Sequence, residues 1–364
     1  MPTSVRPLER PRRMALVPLP VPGESFSSWM DAVALENLCW RSTLLAKYWR
    51  LRAVPYAGGW EPGSSTDLAH ISIATGITED DLAAMLLNRY FEAGFPALPV
   101  NDPWTDGARD FIGTEFRLTH HSRWCPHCIR ENGGRWMLRW RLAWSYACPI
   151  HEVFLAFRCP SCRSPQDTRT GPPSRRLTCS IPLDARRSTR PCGQPLTDIP
   201  VIPVTDRRLL QLQAWIDHGL GDGPRPTTGP SAQALFAFPV TVSVALQLRT
   251  PEMFTTADPA IAAATADPSR LYNDLAKFHG STEMAHPLLI AGAIGLADHL
   301  TRGQDRREAA ATFADLAHAE LEARTSKWSP YEPLPVPGRL TRYIYPAVFA
   351  TLVDRGVIQD SSGY

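Results

Sequence analysis

The stretch Trp124-Cys125-Pro-His-Cys128, followed by Cys148-Pro-Ile-His151, Cys159-Pro-Ser-Cys162 and single cysteines at Cys179 and Cys192, decides how this chain is read. Seven of its eight cysteines lie in this run, and only Cys39 stands outside. A two-residue spacer lets one tight knuckle present two donors to one ion, and zinc takes four such donors in a tetrahedron. Eight donors make two complete sites. Taken in order, the first is Cys125, Cys128, Cys148 and His151, and the second is Cys159, Cys162, Cys179 and Cys192. An interleaved pairing, with the first and third knuckles sharing an ion, is the alternative. Both tetrahedra are filled by protein, so the expected metal is structural Zn2+ with no open catalytic position. Disulfides would need an oxidising compartment. The Arg- and Pro-rich opening, Met1 to Arg13, has no apolar core of a signal peptide. His127, inside the first knuckle, is read as facing solvent or a phosphate.

Charge points the same way. From Arg117 to Cys192 there are 14 arginines, no lysine and 4 acidic residues, in a chain whose overall net charge is only +2. Seven thiolates on two divalent ions still leave this segment at about +7, and the remainder net acidic. A folded segment with a concentrated positive field suits a phosphate backbone. Lysine is nearly absent throughout (Lys47, Lys277, Lys327), so the use of Arg is partly compositional; the local excess over acids is not. The arginines placed toward DNA are Arg123, Arg135, Arg139, Arg141, Arg163, Arg175, Arg176, Arg186 and Arg187. Trp136, Trp140 and Trp144 fall four apart, which makes one stripe if this piece is helical. Alternation from Trp140 to Trp144 leaves a strand open. The loop from Arg163 to Arg190 is Gly-, Pro- and Ser-rich and pinned at Cys179.

Upstream, residues 1–17 read as a disordered basic tail. Ser25 is placed as the N-cap of a helix whose buried face carries Phe26, Trp29, Met30 and Val33. Trp40 to Arg52 continues as a basic aromatic helix. Thr66 to Ala74, a Thr75-Gly76 turn, and a second helix over Leu82 to Tyr90 capped by Thr78 form a helix-turn-helix pattern with Ile71, Ile77, Leu82 and Met85 inside. Glu79, Asp80 and Asp81 open the second helix. They suit the helix dipole but would repel DNA, which favours a structural or protein-contacting role. Phe91 to Asp110 reads as an irregular connection.

These pieces together resemble the TniQ family, which includes TnsD-type target selectors of transposons. The likeness rests on Pro18-Leu-Pro-Val-Pro-Gly-Glu24-Ser25-Phe-Ser-Ser28-Trp29, the Gly76-centred helix pair, Arg123-Trp-Cys125-x-x-Cys128, Trp140-Arg141, Cys148-Pro-x-His151 and Cys159-Pro-x-Cys162. It spans roughly residues 16–195. The resemblance implies a non-catalytic adaptor that selects a double-stranded DNA target, directly or through a CRISPR effector complex, and recruits a AAA+ transposition ATPase.

Beyond the metal run, helices are expected at Asp206 to His218, Val240 to Leu248, Pro268 to His279, Pro287 to Thr301, Arg306 to Arg324 and Pro346 to Val353, with a Gly- and Pro-rich linker at Gly219 to Ser231. No Gly-rich phosphate loop, nucleophile elbow or paired acidic constellation appears. No stretch reaches the roughly 18 to 20 apolar residues of a membrane span, so a soluble cytoplasmic protein is expected. The expected fold is mainly α: a disordered tail (1–17), an N-terminal helical domain with a helix-turn-helix unit (18–117), a double zinc-binding module (118–200) and a C-terminal helical domain (201–364). A homodimer and a zinc-stabilised transcription regulator remain alternatives at this level.

Overall fold

The structure is a computed structural model, and it describes residues 10–51, 62, 64–87, 89–90, 121–142, 145–167, 177–182, 190–222, 258–265 and 286–301. Two compact units are present. The first comprises Met1–Glu92, Leu118–Ser145 and Leu155–Val201; the second comprises Ala93–Arg117, Tyr146–Phe154 and Ile202–Tyr364. The first unit therefore takes in residues from both the N-terminal helical block and the metal block of the sequence.

The first unit is built on α1, Phe26–Glu36. The Ser25 side chain accepts from the Ser28 N–H at 3.3 Å, satisfying one of the orphan donors of the first turn. Phe26, Trp29, Met30 and Val33 are all fully buried, as the spacing demands. The helix ends where Leu38 takes a left-handed φ of 49° and the Cys39 N–H reaches back to Ala34 O at 2.9 Å. Next comes one turn of α-helix, α2 (Arg41–Thr43), running into a π-turn at Leu44–Tyr48. Arg41 pairs with Asp31 beneath the surface. Trp49 then stacks on Trp29, with ring centroids 6.1 Å apart and planes 12° from parallel.

The helix pair centred on Gly76 is present in part. α3 spans Ser65–Thr75, capped by Ser64, and Gly76 closes it in the left-handed region with φ 76°. Thr78 caps α4, accepting from the Asp81 N–H at 3.1 Å. α4 spans only Glu79–Ala83 and does not run to Tyr90 as expected. The backbone tightens into turns, Met85 N to Leu82 O at 3.2 Å and Leu86 N to Ala83 O at 3.0 Å. The reason is tertiary: the Met85 carbonyl accepts from the Phe26 N–H at 3.0 Å, capping the start of α1. Residues 10–17, expected to be disordered, lie against these helices. The Met14 N–H donates to Ala74 O at 2.7 Å, and Asn37 Nδ2 donates to Leu16 O at 2.8 Å.

Within the same unit the metal-bearing segment returns to α1. The Ser25 N–H donates to Trp136 O at 2.9 Å, the Leu138 N–H to Gly23 O at 2.8 Å, and the Trp136 N–H to Ser28 Oγ at 2.9 Å. A short 3-10 turn covers Leu138–Arg141, so the piece from Trp136 to Trp140 is not a continuous helix, and Trp144 lies outside the described residues. Trp136 instead meets Trp124 at 5.9 Å and Trp140 edge-on at 6.0 Å. β1 (His121–Ser122) pairs antiparallel with β4 (Gln166–Asp167), setting Ser122 opposite Gln166. α5, Pro126–Glu131, opens on its proline, where a missing N–H costs nothing.

In the second unit β2 (Ala147–Cys148) and β3 (Val153–Phe154) form a hairpin, with Cys148 opposite Val153. α6, Arg207–Gly219, starts one residue after the expected boundary, on an Asp206 cap. Gln213 Oε1 on α6 accepts from the Tyr146 N–H at 2.8 Å, and Tyr146 Oη donates to Leu209 O at 2.6 Å. Asp258 caps α7, Pro259–Thr265, accepting from the Ala260 N–H at 3.0 Å. This helix was not expected from the sequence, although an Asp-Pro step before an alanine run is a start signal. α8, Pro287–Thr301, lies where expected. Arg208 of α6 grips Asp298 of α8 through Nε at 2.9 Å and Nη2 at 2.6 Å. The expected helices at 240–248, 268–279, 306–324 and 346–353 lie outside the described residues. No helix among the described residues is long and apolar enough to cross a membrane.

Candidate metal centres and their arginines

Each knuckle is positioned by local backbone. Cys125 is the N-cap residue of α5 and Cys128 follows one turn later, so both sulfurs leave the same end of a short helix. Cys148 ends β2, and a tight turn delivers His151. The Cys159–Cys162 knuckle is closed by the Arg163 N–H donating to Cys159 O at 2.8 Å and the Cys159 N–H donating to Ser164 O at 3.0 Å. Cys179 and Cys192 face each other across a short ladder, with Cys179 N to Gln194 O and Cys192 N to Ile181 O both at 2.8 Å.

The eight donors fall into two groups of four: Cys125, Cys128, Cys148 and His151, and Cys159, Cys162, Cys179 and Cys192. Within each group all ligand atoms lie within 4.8 Å of one another. The grouping is sequential, not interleaved. The spacings bear on what the groups can hold. Cys159 Sγ lies 3.8 Å from Cys192 Sγ, Cys162 Sγ lies 3.6 Å from Cys179 Sγ, and Cys148 Sγ lies 3.5 Å from His151 Nδ1. A disulfide would bring sulfurs to about 2.05 Å. A tetrahedral ion with metal–sulfur bonds of about 2.3 Å sets sulfur–sulfur edges of about 3.8 Å, with a slightly shorter edge to nitrogen. Both groups therefore have the dimensions of a closed tetrahedral metal site. Burial pushes the Cys159 and Cys179 thiols up, so thiolates there depend on a cation for company. Gln166 adds a contact that the spacing of cysteines did not reveal: its Nε2 donates to Cys179 Sγ at 3.3 Å, from a side chain that is almost fully buried. Its place on β4, across from Ser122, holds it there.

The arginines divide. Arg123, expected at a phosphate backbone, is fully buried; its Nη1 donates to Ser145 O at 2.7 Å and Leu142 O at 3.3 Å, and its guanidinium lies 5.9 Å from the Phe157 ring centre. Burial pushes its pKa down to about 9. Arg141 is buried too. Neither can lie along a phosphate backbone while the unit is folded, which corrects that expectation. Arg135 is mostly covered and donates to Glu24 Oε2 at 2.8 Å. Glu24 belongs to the proline-rich entry pattern, and nothing in that pattern marks it as the buried anchor of Arg135. Arg139 is half-buried and Arg163 is exposed. Arg175, Arg176, Arg186 and Arg187, like Arg169 and Trp144, lie outside the described residues.

Residues 15–155 match the family model described as TniQ. The match takes in the proline-rich entry, α1 to α5 and the first four-donor group, and it stops before Cys159. No curated protein matches the chain.

Proposed function

Since residues 15–155 make this chain a member of the TniQ family, we propose that it is a zinc-bound adaptor of DNA transposition that selects the target site and recruits a AAA+ ATPase regulator. The observation that carries this reading is the pair of closed four-donor groups set within and just beyond the family domain. Four protein donors leave no position for a substrate, so the ions, taken as Zn2+, act as folding elements. When bound, they would hold Cys125, Cys128, Cys148 and His151 together, and likewise Cys159, Cys162, Cys179 and Cys192. Their role is structural and not that of a reaction centre. The remaining exposed arginines and the positive segment around the second group favour a direct contact with duplex DNA. Gel-shift titration with transposon-flanking duplex, with and without the neighbouring ATPase, tests this. Binding that falls steeply with salt supports it; binding that is undetectable or indifferent to salt sinks it.

A second reading is favoured by specific observations. Arg123, Arg135 and Arg141 are occupied inside the fold, and α4 opens on three exposed carboxylates, Glu79, Asp80 and Asp81. Such a surface suits a protein partner, here an RNA-guided CRISPR effector complex that would find the target in place of this chain. Co-purification with that complex in the absence of DNA would favour it over direct reading.

A further inference from the structure

Most cations among the described residues of the first unit are spoken for. Arg41 pairs with Asp31, Arg130 with Asp198 at 3.2 Å, Arg135 with Glu24, and Arg158 donates to Arg163 O at 3.0 Å while lying over Phe157. The segment Arg10-Pro-Arg12-Arg13 is different. All three arginines are exposed, and among the described residues none of them makes an ion pair. The backbone that carries them is nonetheless held. Pro11 and Met14 are buried, the Met14 N–H donates to Ala74 O at 2.7 Å, Leu16 O accepts from Asn37, and Pro18 O accepts from Trp29 Nε1 at 2.9 Å. Arg13 is laid flat on the α3–α4 turn. Gly76 is bare there, and a β-carbon on it would stand 1.8 Å from Arg13 Nη2.

An anchored strap with three unpaired guanidinium groups is unlike a solvated tail. Its backbone is already ordered, so a ligand that met these groups would not have to order it. Guanidinium groups on a fixed backbone match successive phosphate oxygens, and such contacts set register on a duplex without reading its sequence. The exposed carboxylates of α4 keep that helix from serving the same purpose. We propose that Arg10, Arg12 and Arg13 form a phosphate-binding arm that clamps the backbone of duplex DNA beside the α3–α4 turn. This rests on the DNA-binding reading above and adds to the positive segment around the second metal group a contact near the start of the sequence.

The test uses the full-length zinc-loaded chain and a 30-base-pair duplex of arbitrary sequence as probe, with binding measured across a salt series. Each phosphate contact contributes about 0.9 to the slope of log affinity on log salt, so R10A/R12A/R13A should flatten the slope by about 2 to 3. It should also weaken binding at low salt by at least tenfold on the same principle, with melting temperature and zinc content unchanged. R10K/R12K/R13K should restore most of the slope, which separates charge from folding. Unchanged slope in the alanine variant overturns the arm while leaving DNA binding intact. No salt-dependent binding by the parent chain removes the DNA reading itself. An alanine variant that binds DNA normally but loses polyglutamate would assign the arm to an acidic protein instead.

Discussion

Arg135 Nη1 sits 2.8 Å from Glu24 Oε2, joining residues 111 apart in sequence through a carboxylate with no solvent exposure. The same Glu24 accepts from Ser28 Oγ at 2.7 Å and from the Val21 N–H at 3.1 Å. One side chain therefore fixes the entry to α1, the first turn of that helix and the loop after the first cysteine knuckle.

Removing this carboxylate should be costly. Breaking a buried pair by deleting one partner costs about 3 to 5 kcal/mol, because the other charge is left uncompensated. Glu24→Ala should lie near the lower end, since Arg135 keeps some access to water, and Arg135→Ala should cost less because Glu24 retains two other donors. Urea denaturation midpoints of the two variants check this. A Glu24→Ala chain as stable as the parent would mean that the pair is not what ties the helix to the knuckle.

The two metal groups should be separable. Cys179→Ser should lower bound zinc from two ions per chain to one, leaving the Cys125–His151 group loaded, and Cys148→Ser should do the reverse. Because the ligands must be deprotonated, protons compete with the metal; stability should therefore fall as pH drops and the thiolates are titrated, with zinc released in step. Metal analysis after gel filtration at descending pH reads both effects. Loss of both ions in either single variant would show that the groups fold as one.

Gln166 predicts a subtler phenotype. Its donation to Cys179 Sγ is an outer-shell contact of the kind whose loss weakens metal affinity by about 10- to 100-fold. Gln166→Leu should release zinc to a competing chelator faster than the parent, and Gln166→Glu faster still, since a carboxylate would face a thiolate. A Co2+-substituted protein offers an independent readout in its thiolate-to-metal absorption. Equal chelator kinetics in all three proteins would remove Gln166 from the site.

Gly76→Ala should destabilise the first unit. A left-handed φ costs a residue with a β-carbon roughly 1 to 2 kcal/mol, and here the new methyl would also displace Arg13. Thermal melting reads the stability change. Proteolysis of the N-terminal segment reads the displacement, and protection equal to that of the parent would show that the strap does not depend on this turn.

Much of this protein is legible from local sequence, and the reason is that its strongest signals are local. A Cys-x-x-Cys knuckle presents two donors whatever surrounds it, so the eight candidate donors could be listed before any fold was known. Ser25 caps α1 through a contact three residues away, and Pro287 to Thr301 needs only its own apolar run to declare a helix. What could not be read is each feature set by groups distant in sequence. The α4 helix stops at Ala83 because the Met85 carbonyl is taken by Phe26, some 60 residues earlier. Arginine excess suggested a phosphate surface, but charge counting cannot say which guanidinium faces water: Arg123 Nη1 donates to two backbone carbonyls inside the unit, whereas Arg10, Arg12 and Arg13 stay outside. Composition and spacing determined the candidate metal donors and most of the helix starts, because those depend on neighbours along the chain; tertiary packing decided which charges remain available, because burial and pairing are properties of neighbours in space.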